Sequence, residues 1–237
     1  MNKTPIFLLL LIGLFSCNNP FFDVSGNGNI VIEERDVEDF TRLDFHGAYH
    51  VVITEGTQPS LEIEADENLM EYITSKVQGN TLRIENSARL MSEHGIVINI
   101  TYTDIEQIEV HGAGNLENFG TIATQDLKVS LSGAGNIDLR VDVTDLEVST
   151  SGAGNMTLNG ECQSAKLDLS GAGGVDAYGL TSSNCRVRVS GVGGAEVYVT
   201  EELDAKVSGI GSISYKGNPQ RVQSDVSGIG SIENEGE

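Results

Sequence analysis

Apolar and polar residues alternate along the second half of the chain. Leu127, Val129 and Leu131 are each separated by one residue, and the same spacing returns at Ile137 and Leu139. Such alternation is typical of a β-strand with one buried face, and no unit of this region has the apolar spacing of a helix. The pattern therefore predicts an all-β fold.

A glycine motif of the form Ser-Gly-x-Gly interrupts the alternation seven times, with His111 in place of serine in the first copy. The first glycines of successive copies lie 18 to 21 residues apart. A fixed period of this size predicts a parallel β-solenoid (β-helix) with coils of about 19–20 residues, each made of two short strands and closed by a second turn. The motif glycines would form corners, where the backbone bends sharply or takes positive φ. They are Gly112, Gly114, Gly133, Gly135, Gly152, Gly154, Gly171, Gly173, Gly191, Gly193, Gly209, Gly211, Gly228 and Gly230.

The residue between the two glycines is always apolar, and its placement is open. If the corner points it inward, it extends the core. If strict alternation continues through the glycines, it faces solvent and forms an apolar ladder able to bind a partner. We favour the buried placement, because a row of apolar residues is more often core. The seven residues are Ala113, Ala134, Ala153, Ala172, Val192, Ile210 and Ile229.

Asparagine follows the second glycine in the first three copies, at Asn115, Asn136 and Asn155. Side-chain amides stacked at one corner can hydrogen-bond to one another along a ladder. We interpret these residues as structural. The alternative is a polar strip that recognises sugar hydroxyls.

The region before the repeats has a different pattern. Segments 25–29 and 46–50 resemble degenerate copies of the motif, and strands are predicted at 29–32, 49–53, 60–65, 81–85 and 96–102. One short helix is predicted, capped by Asp66, with apolar residues at helical spacing up to Val77 and an end at Gly79. This β-rich region would cap the first coil of the repeats, which otherwise exposes an unpaired strand edge.

The first residues have the character of an export signal. Lys3 precedes an apolar stretch at 6–15, and Cys17 follows small and apolar residues. This predicts a signal peptide whose last residues are similar to the lipobox of bacterial lipoproteins, in which the cysteine is acylated. We expect export and lipid anchoring to the cell envelope at the outer membrane. The alternative is an ordinary signal peptide with a chance cysteine.

This organisation divides the chain into four segments. They are a lipoprotein signal peptide at 1–16, a tether at 17–23 that begins with the lipidated Cys17, a β-rich N-terminal part at 24–105, and the solenoid repeats at 106–237.

Charge narrows the choice of partner. The 237 residues include 35 acidic and 14 basic side chains, which give a formal net charge of -21. An acidic chain without a basic cluster repels phosphate backbones, so no nucleic-acid partner is expected. Contact with a membrane is expected only through the lipid at Cys17, because no stretch of about 20 apolar residues is present.

Three segments resemble a known family. They are the Ser-Gly-Ala-Gly-Asn-Ile repeats, the segment from Phe45 to Ile53 (Phe-His-Gly-Ala-Tyr-His-Val-Val-Ile), and Ala65-Asp-Glu-Asn-Leu-Met70 followed by residues 79–84. Together they are similar to the putative auto-transporter adhesin head GIN domain family, over roughly residues 37 to 232. The resemblance implies a β-helical fold in a bacterial envelope lipoprotein of unknown function. It brings no catalytic residue with it.

Neither catalysis nor a cofactor is expected. Polysaccharide-active β-helix enzymes build clefts from long loops, whereas the coils here vary only from 18 to 21 residues. Glu147, Asp168 and Asp176 are interpreted as exposed strand or turn residues rather than as a catalytic carboxylate pair.

No metal site is expected either. Calcium-binding solenoids repeat an aspartate in their turns, but here Asp138 and Asp176 have other residues at the equivalent position of the other copies. The four histidines are too scattered along the chain, and we expect His46 and His50 on one strand. The other two are His94 and His111.

Cys162 and Cys185 could form a disulfide in an oxidising envelope. Aligning the coils on their corners places Cys162 opposite Ser182 and Cys185 opposite Ala165. This offset of three residues weighs against the bond, because a disulfide needs Cα atoms within about 7 Å of each other.

The sequence thus predicts a non-catalytic envelope lipoprotein that presents a rigid acidic solenoid as a binding or adhesion-like module for glycan or protein. The alternative is a structural or assembly component of an envelope complex, and a polysaccharide-active enzyme is disfavoured. Aromatic residues, which favour glycan binding, do not recur at one position of the repeat. Those of the repeat region are Phe119, Tyr178, Tyr198 and Tyr215.

Overall fold

The computed structural model describes residues 22–236, which are nearly all β with minimal helix and whose repeats form a β-solenoid of about seven turns. This confirms the predicted all-β solenoid. Two parallel or mixed sheets contain all its strands, one with β1 and β8 and the other with the remaining seventeen. The elements are β1 Asp23–Ser25, β2 Ile30–Arg35, β3 Arg42–His46, β4 His50–Glu55, β5 Ser60–Asp66, a 3-10 helix Glu67–Tyr72, β6 Ile73–Gln78, β7 Thr81–Asn86, β8 Arg89–Met91, β9 Val97–Tyr102, β10 Gln107–Val110, β11 Asn115–Phe119, β12 Ile122–Leu131, β13 Asn136–Thr150, β14 Asn155–Leu169, β15 Ala172–Val189, β16 Val192–Val207, β17 Ile210–Lys216, β18 Arg221–Val226 and β19 Ile229–Gly236.

The four central strands, β13 to β16, each run from one glycine corner to the next and pair in parallel with the strand one coil away. The predicted second turn therefore bends the strand without ending it. Equivalent residues stack along the solenoid axis, as in the column of Val129, Val148, Leu167, Val187 and Ala205. All five are buried, so the inward half of the alternation forms one continuous apolar core.

The N-terminal region contributes two further coils in an order that differs from the chain order. β3 pairs in parallel with both β7 and β10, and β4 pairs in parallel with both β9 and β11. The first coil is therefore made of β7 and β9, the second of β3 and β4, and the third of β10 and β11. One continuous sheet crosses the boundary drawn between residues 105 and 106, and that boundary stays a prediction.

Antiparallel strands cover the outer edge of the first coil. β5 pairs with β9, and β6 pairs with β7, both in antiparallel register. They satisfy the backbone groups that an open solenoid end exposes. At the other end, β18 and β19 form the last coil, and every residue of β18 is exposed.

The helix predicted between Asp66 and Gly79 is wrong after Tyr72. The 3-10 helix ends at Tyr72, and Ile73–Gln78 form β6, which returns through a turn at Gly79 to pair with β7. Hairpin pairing satisfies more backbone groups than a helix of this length, so tertiary context overrides the local spacing.

Asp66 does not cap the helix through its side chain. Its buried carboxylate instead accepts hydrogen bonds from the Gly28 N–H at 2.6 Å and the Ser92 hydroxyl at 2.6 Å. These two hydrogen bonds hold the pKa of Asp66 below its ordinary value, and the bond from the Ser92 hydroxyl has the larger effect. The ionised carboxylate thus joins segment 25–29, which is no solenoid corner, to the loop after β8.

No helix within residues 22–236 has the length and apolar character needed to cross a bilayer.

Candidate binding surface

Each glycine corner lies directly on the corner of the preceding coil. A Cβ built on Gly133 would be 1.6 Å from the Gly112 carbonyl oxygen, and one on Gly152 would be 1.8 Å from the Gly133 oxygen. Both glycines lack positive φ. The motif therefore requires glycine because backbones stack too closely for any side chain. Among the motif glycines, positive φ adds a second reason only at Gly173 and Gly193, with φ of 152° and 149°.

Segment 46–50 is a true corner of this stack. A Cβ on Gly112 would be 1.6 Å from the Gly47 oxygen, and the Ala113 N–H donates to that oxygen at 3.0 Å. The degenerate motif that the sequence suggested here is thus the corner of the second coil.

The residue between the glycines faces solvent, so the favoured buried placement is wrong. Inward and outward positions continue to alternate through the corner. The glycines occupy the inward positions, where the backbones of adjacent coils touch. Val192, Ile210 and Ile229 have 57%, 55% and 73% of their surface exposed. The seven residues form an apolar ladder along the outside of the solenoid, which we call the corner ladder, and its side chains grow from alanine to isoleucine towards the last coil.

A groove accompanies the larger side chains of the corner ladder. Asn155 is followed along the axis by Gly174, Gly194 and Ser212, which remove the bulk of the asparagine. These residues line an open groove of about 410 Å³, with the carboxylates of Asp176 and Glu196 among its walls. Because residues two apart in a strand share a side, Gly194 lies beside Val192. The groove therefore runs along the last part of the corner ladder, formed by Val192, Ile210 and Ile229, which we call the ridge.

The asparagine positions begin as a hydrogen-bonded ladder. Asn136 Nδ2 donates to Asn115 Oδ1 at 3.1 Å, and Asn155 Oδ1 accepts from the Gly174 N–H at 3.2 Å. These bonds between coils agree with the structural interpretation of the asparagines.

The candidate carboxylates on the side of the solenoid are engaged in ion pairs. Lys166 Nζ lies 2.6 Å from Glu147 Oε1 and 3.3 Å from Asp168 Oδ2, and Lys128 Nζ lies 3.4 Å from Glu147 Oε2. The hydrogen bond from Lys166 lowers the pKa of Glu147. A general acid for glycosidic cleavage needs a raised pKa, so Glu147 is unsuited to that role.

The aspartates considered for calcium do not meet. Thr157 lies between Asp138 and Asp176 in the stack, so their strands are two spacings, or about 9.6 Å, apart. Asp176 Oδ1 instead accepts from the Tyr178 N–H at 3.2 Å.

The histidines are less scattered in space than in sequence. His46 ends β3 and His50 begins β4, on either side of the Gly47 corner, so the expectation of one shared strand is wrong. His46 stacks on His111, with ring centroids 4.6 Å apart, and Asp44 lies beside both. Asp44 is not among the residues that the sequence predicted for a site. The signal available was that His46 and His111 both begin a His-Gly-Ala motif, which puts them at one position of adjacent coils.

Cys162 and Cys185 are free and buried in the core. Their strands pair as aligned from the sequence, Cys162 with Ser182 and Cys185 with Ala165. Three residues of strand span about 10 Å, too far for the disulfide that the sequence left open. Burial, followed by the charge of Asp145, raises the pKa of Cys162 to about 12, and burial, followed by Cys162, raises that of Cys185 to about 12. Both thiols behave as small core side chains.

Cys17, the signal peptide and most of the tether lie outside the described residues.

Known proteins share this architecture. A putative adhesin from Bacteroides fragilis NCTC 9343 has a crystal structure with a TM-score of 0.86 and 27% identity, covering 89% of this chain and 99% of its own. A putative lipid binding protein from Parabacteroides distasonis ATCC 8503 matches with a TM-score of 0.75 and 22% identity over 90% of this chain and 99% of its own. A putative adhesin from Parabacteroides merdae ATCC 43184 matches with a TM-score of 0.65 and 23% identity over 90% of this chain and 98% of its own. The latter two show the fold alone.

No curated protein matches the chain. The family model of the putative auto-transporter adhesin, head GIN domain, matches residues 39–219, which include both the N-terminal coils and most of the repeats. The family and the adhesin from Bacteroides fragilis fit an adhesion-like module at the cell surface or envelope. The chain belongs to the putative auto-transporter adhesin, head GIN domain family.

Proposed function

We propose that this protein is a non-catalytic lipoprotein of the bacterial cell envelope, anchored at the outer membrane through Cys17, which binds a protein partner with the far end of its solenoid. The first described strand, β1, pairs with β8 beside the first coil, and the last coils are the part of the solenoid farthest from this cap. A rigid solenoid so oriented presents its last coils away from the membrane.

The observation that carries the proposal is the ridge and groove of the last coils. Val192, Ile210 and Ile229 expose most of their apolar surface in one row. Contiguous exposed apolar surface marks interaction sites in soluble domains. The acidic residues Asp176 and Glu196 along the groove favour a partner whose surface is apolar and basic.

A protein partner is favoured over a glycan or a substrate. Exposed aromatic platforms are scarce among residues 22–236. Phe119 is exposed on its own, Phe22 packs edge-on against Tyr72 away from the repeats, and the Tyr178 ring is covered by Lys216 Nζ at 4.3 Å. Contacts with Lys166 and Lys128 lower the pKa of Glu147, so its carboxylate is held ionised. The regular coils thus offer shape and apolar contact rather than acid–base chemistry.

Protease treatment of intact cells tests display and anchoring. We expect a protease that cannot cross the outer membrane to digest the wild-type protein, because the last coils face the medium. Cys17→Ala is expected to leave the membrane fraction, since it lacks the lipid. Full-length protein followed by blot, with and without lysis, provides the measurement. Complete protection until lysis would contradict display and favour an assembly role inside the envelope.

Replacing Val192, Ile210 and Ile229 together by serine tests the binding surface. We expect folding stability to change by less than about 0.5 kcal/mol per site, because each side chain already contacts water. A photo-crosslinking residue placed at Ser212, in the groove, is expected to capture one defined partner on wild-type cells and to lose it in the triple variant. The measurements are urea unfolding and blotting of the crosslinked species.

The control replaces Ala113, Ala134 and Ala153 by serine, at the same corner position of earlier coils. This variant adds the same hydroxyls but keeps the ridge of the last coils, so crosslinking should remain at the wild-type level. Equal crosslinking in both triple variants would mean that the ridge is not the binding surface.

A further inference from the structure

Two histidines and two carboxylates meet where the N-terminal coils join the repeats. β3 and β10 lie side by side, with Asp44 opposite Glu109, and the His111 N–H donates to the Phe45 carbonyl at 2.8 Å. His46 and His111 are therefore neighbours across the two coils. Because residues two apart in a strand share a side, Asp44 lies beside His46 and Glu109 beside His111.

The distances within this group suit a shared cation. His46 Nε2 is 2.8 Å from Asp44 Oδ1, and His111 Nε2 is 3.6 Å from the same oxygen. One donor atom from each of the three residues lies within 4.8 Å of the other two. Tetrahedral zinc with bonds of about 2.0–2.2 Å separates its ligand atoms by about 3.3–3.6 Å. A small rotation of the two partly exposed imidazoles, which widens the contact between His46 and Asp44, therefore forms the site.

The buried carboxylate oxygen points to a missing partner. Asp44 has only 9% of its surface exposed, and its Oδ1, although 2.8 Å from His46 Nε2, accepts no hydrogen bond of suitable geometry from any described residue. A buried charged oxygen left in this state is costly. Arg83 approaches the other oxygen, Oδ2, at 3.7 Å, and Glu85 holds its guanidinium at 3.1 Å, so Oδ1 remains available on the imidazole side.

A second residue orients one imidazole. Ser132 Oγ lies 2.6 Å from His111 Nδ1. If Nδ1 carries the proton and donates to the hydroxyl, the lone pair of Nε2 points towards Asp44. Metal-bound histidines are held in this way by a partner on the second ring nitrogen.

Histidine is not required by the corner itself. The position of His46 and His111 is serine in all the later coils, and Ser170 and Ser190 use the hydroxyl to bond a carbonyl of the previous coil. Among the stacked glycine corners from Gly47 onward, only two adjacent ones carry histidine, and the two imidazoles share one aspartate.

We propose that Asp44, His46 and His111 bind a divalent transition-metal ion of the Zn²⁺ class, with Glu109 or water in the remaining position. Two imidazoles and one carboxylate form a known zinc ligand set, whereas Ca²⁺ and Mg²⁺ prefer oxygen ligands. Glu109 Oε2 lies 3.9 Å from His111 Nε2, within reach of the fourth ligand position. The ion joins the second and third coils, whose residues are far apart in sequence, and the proposal is independent of the partner-binding surface.

Calorimetric titration with zinc chloride tests the site. The full-length chain, without a histidine tag, is stripped with a chelator and titrated in excess Mg²⁺, which occupies sites made of carboxylates alone. We expect one Zn²⁺ per chain. His111→Ser, His46→Ser and Asp44→Asn should each lower the affinity by at least roughly tenfold, and Ser132→Ala should lower it less.

The histidine variants restore the serine of the later coils, so their metal-free unfolding curves should match the wild type. His50→Asn is the matched control, because it likewise restores the repeat residue found at Asn115, its neighbour in the stack, and leaves the three ligands in place. Nitrogen ligation is checked separately by the visible absorption of bound Co²⁺ in the wild type. Wild-type protein that binds no Zn²⁺ under these conditions, or His111→Ser that binds it as tightly, would overturn the proposal.

Discussion

Gly152→Ala is expected to lower the free energy of unfolding by at least about 3 kcal/mol. The new methyl group would lie 1.8 Å from the Gly133 carbonyl oxygen, which is backbone and cannot rotate away. That oxygen also accepts the Ala153 N–H at 2.9 Å, so relieving the clash breaks a bond between the coils. Because Gly152 has no positive φ, the loss reports stacking distance and not backbone strain.

Urea unfolding followed by far-UV circular dichroism measures this loss. Ala153→Ser is the matched control, since it also adds one heavy atom at the same corner but directs it into solvent. Its stability should stay within about 0.5 kcal/mol of the wild type. If the free energy of unfolding of Gly152→Ala is within about 1 kcal/mol of the wild-type value, the loss is close to that of an ordinary surface substitution. The coils would then not be in backbone contact at their corners.

The repeat half of the fold could be predicted because one rule generates it. Alternation assigns the strands, and the motif spacing assigns the register, so that the predicted pairing of Cys162 with Ser182 is found in the sheet. The orientation of Ala134 was left open, since two glycines lack the side chains that would mark which positions face inward. The distance between Gly112 and Gly133, which settles it, belongs to neighbouring coils and has no local sequence signal.

The N-terminal coils could not be ordered from the sequence for a different reason. β3 and β4 precede β7 and β9 in the chain but lie between them and the repeats. Local pattern assigns strands and says nothing of which edge each will join. The helix prediction fails at Ile73 for the same reason, because pairing with β7 decides its conformation.

The candidate metal site shows the same limit at the level of single residues. Asp44 is separated from His111 by more than sixty positions, and only the out-of-order second coil brings them within 3.6 Å. The ion pairs of Glu147, by contrast, follow from register alone, because Lys128 and Lys166 occupy its position in the neighbouring coils.

Ile213→Ala is expected to lower the free energy of unfolding by about 2–5 kcal/mol, the range for isoleucine in a close-packed core. Ile213 is fully buried and stacks between Ala195 and Ile232 of the adjacent coils. Ala195 is small, so the methyls of Ile213 fill the space that it leaves. Removing them opens a cavity that the two neighbouring strands cannot both close.

Ile210→Ala provides the comparison, since it makes the same chemical change three residues earlier in β17. Ile210 has 55% of its surface exposed in the corner ladder, and its truncation should cost less than about 0.5 kcal/mol. Contacts in a solenoid reach only adjacent coils, so hydrogen exchange of β17 and β19 should rise in Ile213→Ala while β13 stays protected. Equal losses in the two variants would mean that the ladder is packed against something in the folded protein. A large difference between them means that folding does not depend on Ile210, which leaves its side chain free for the partner contact that the proposed function requires.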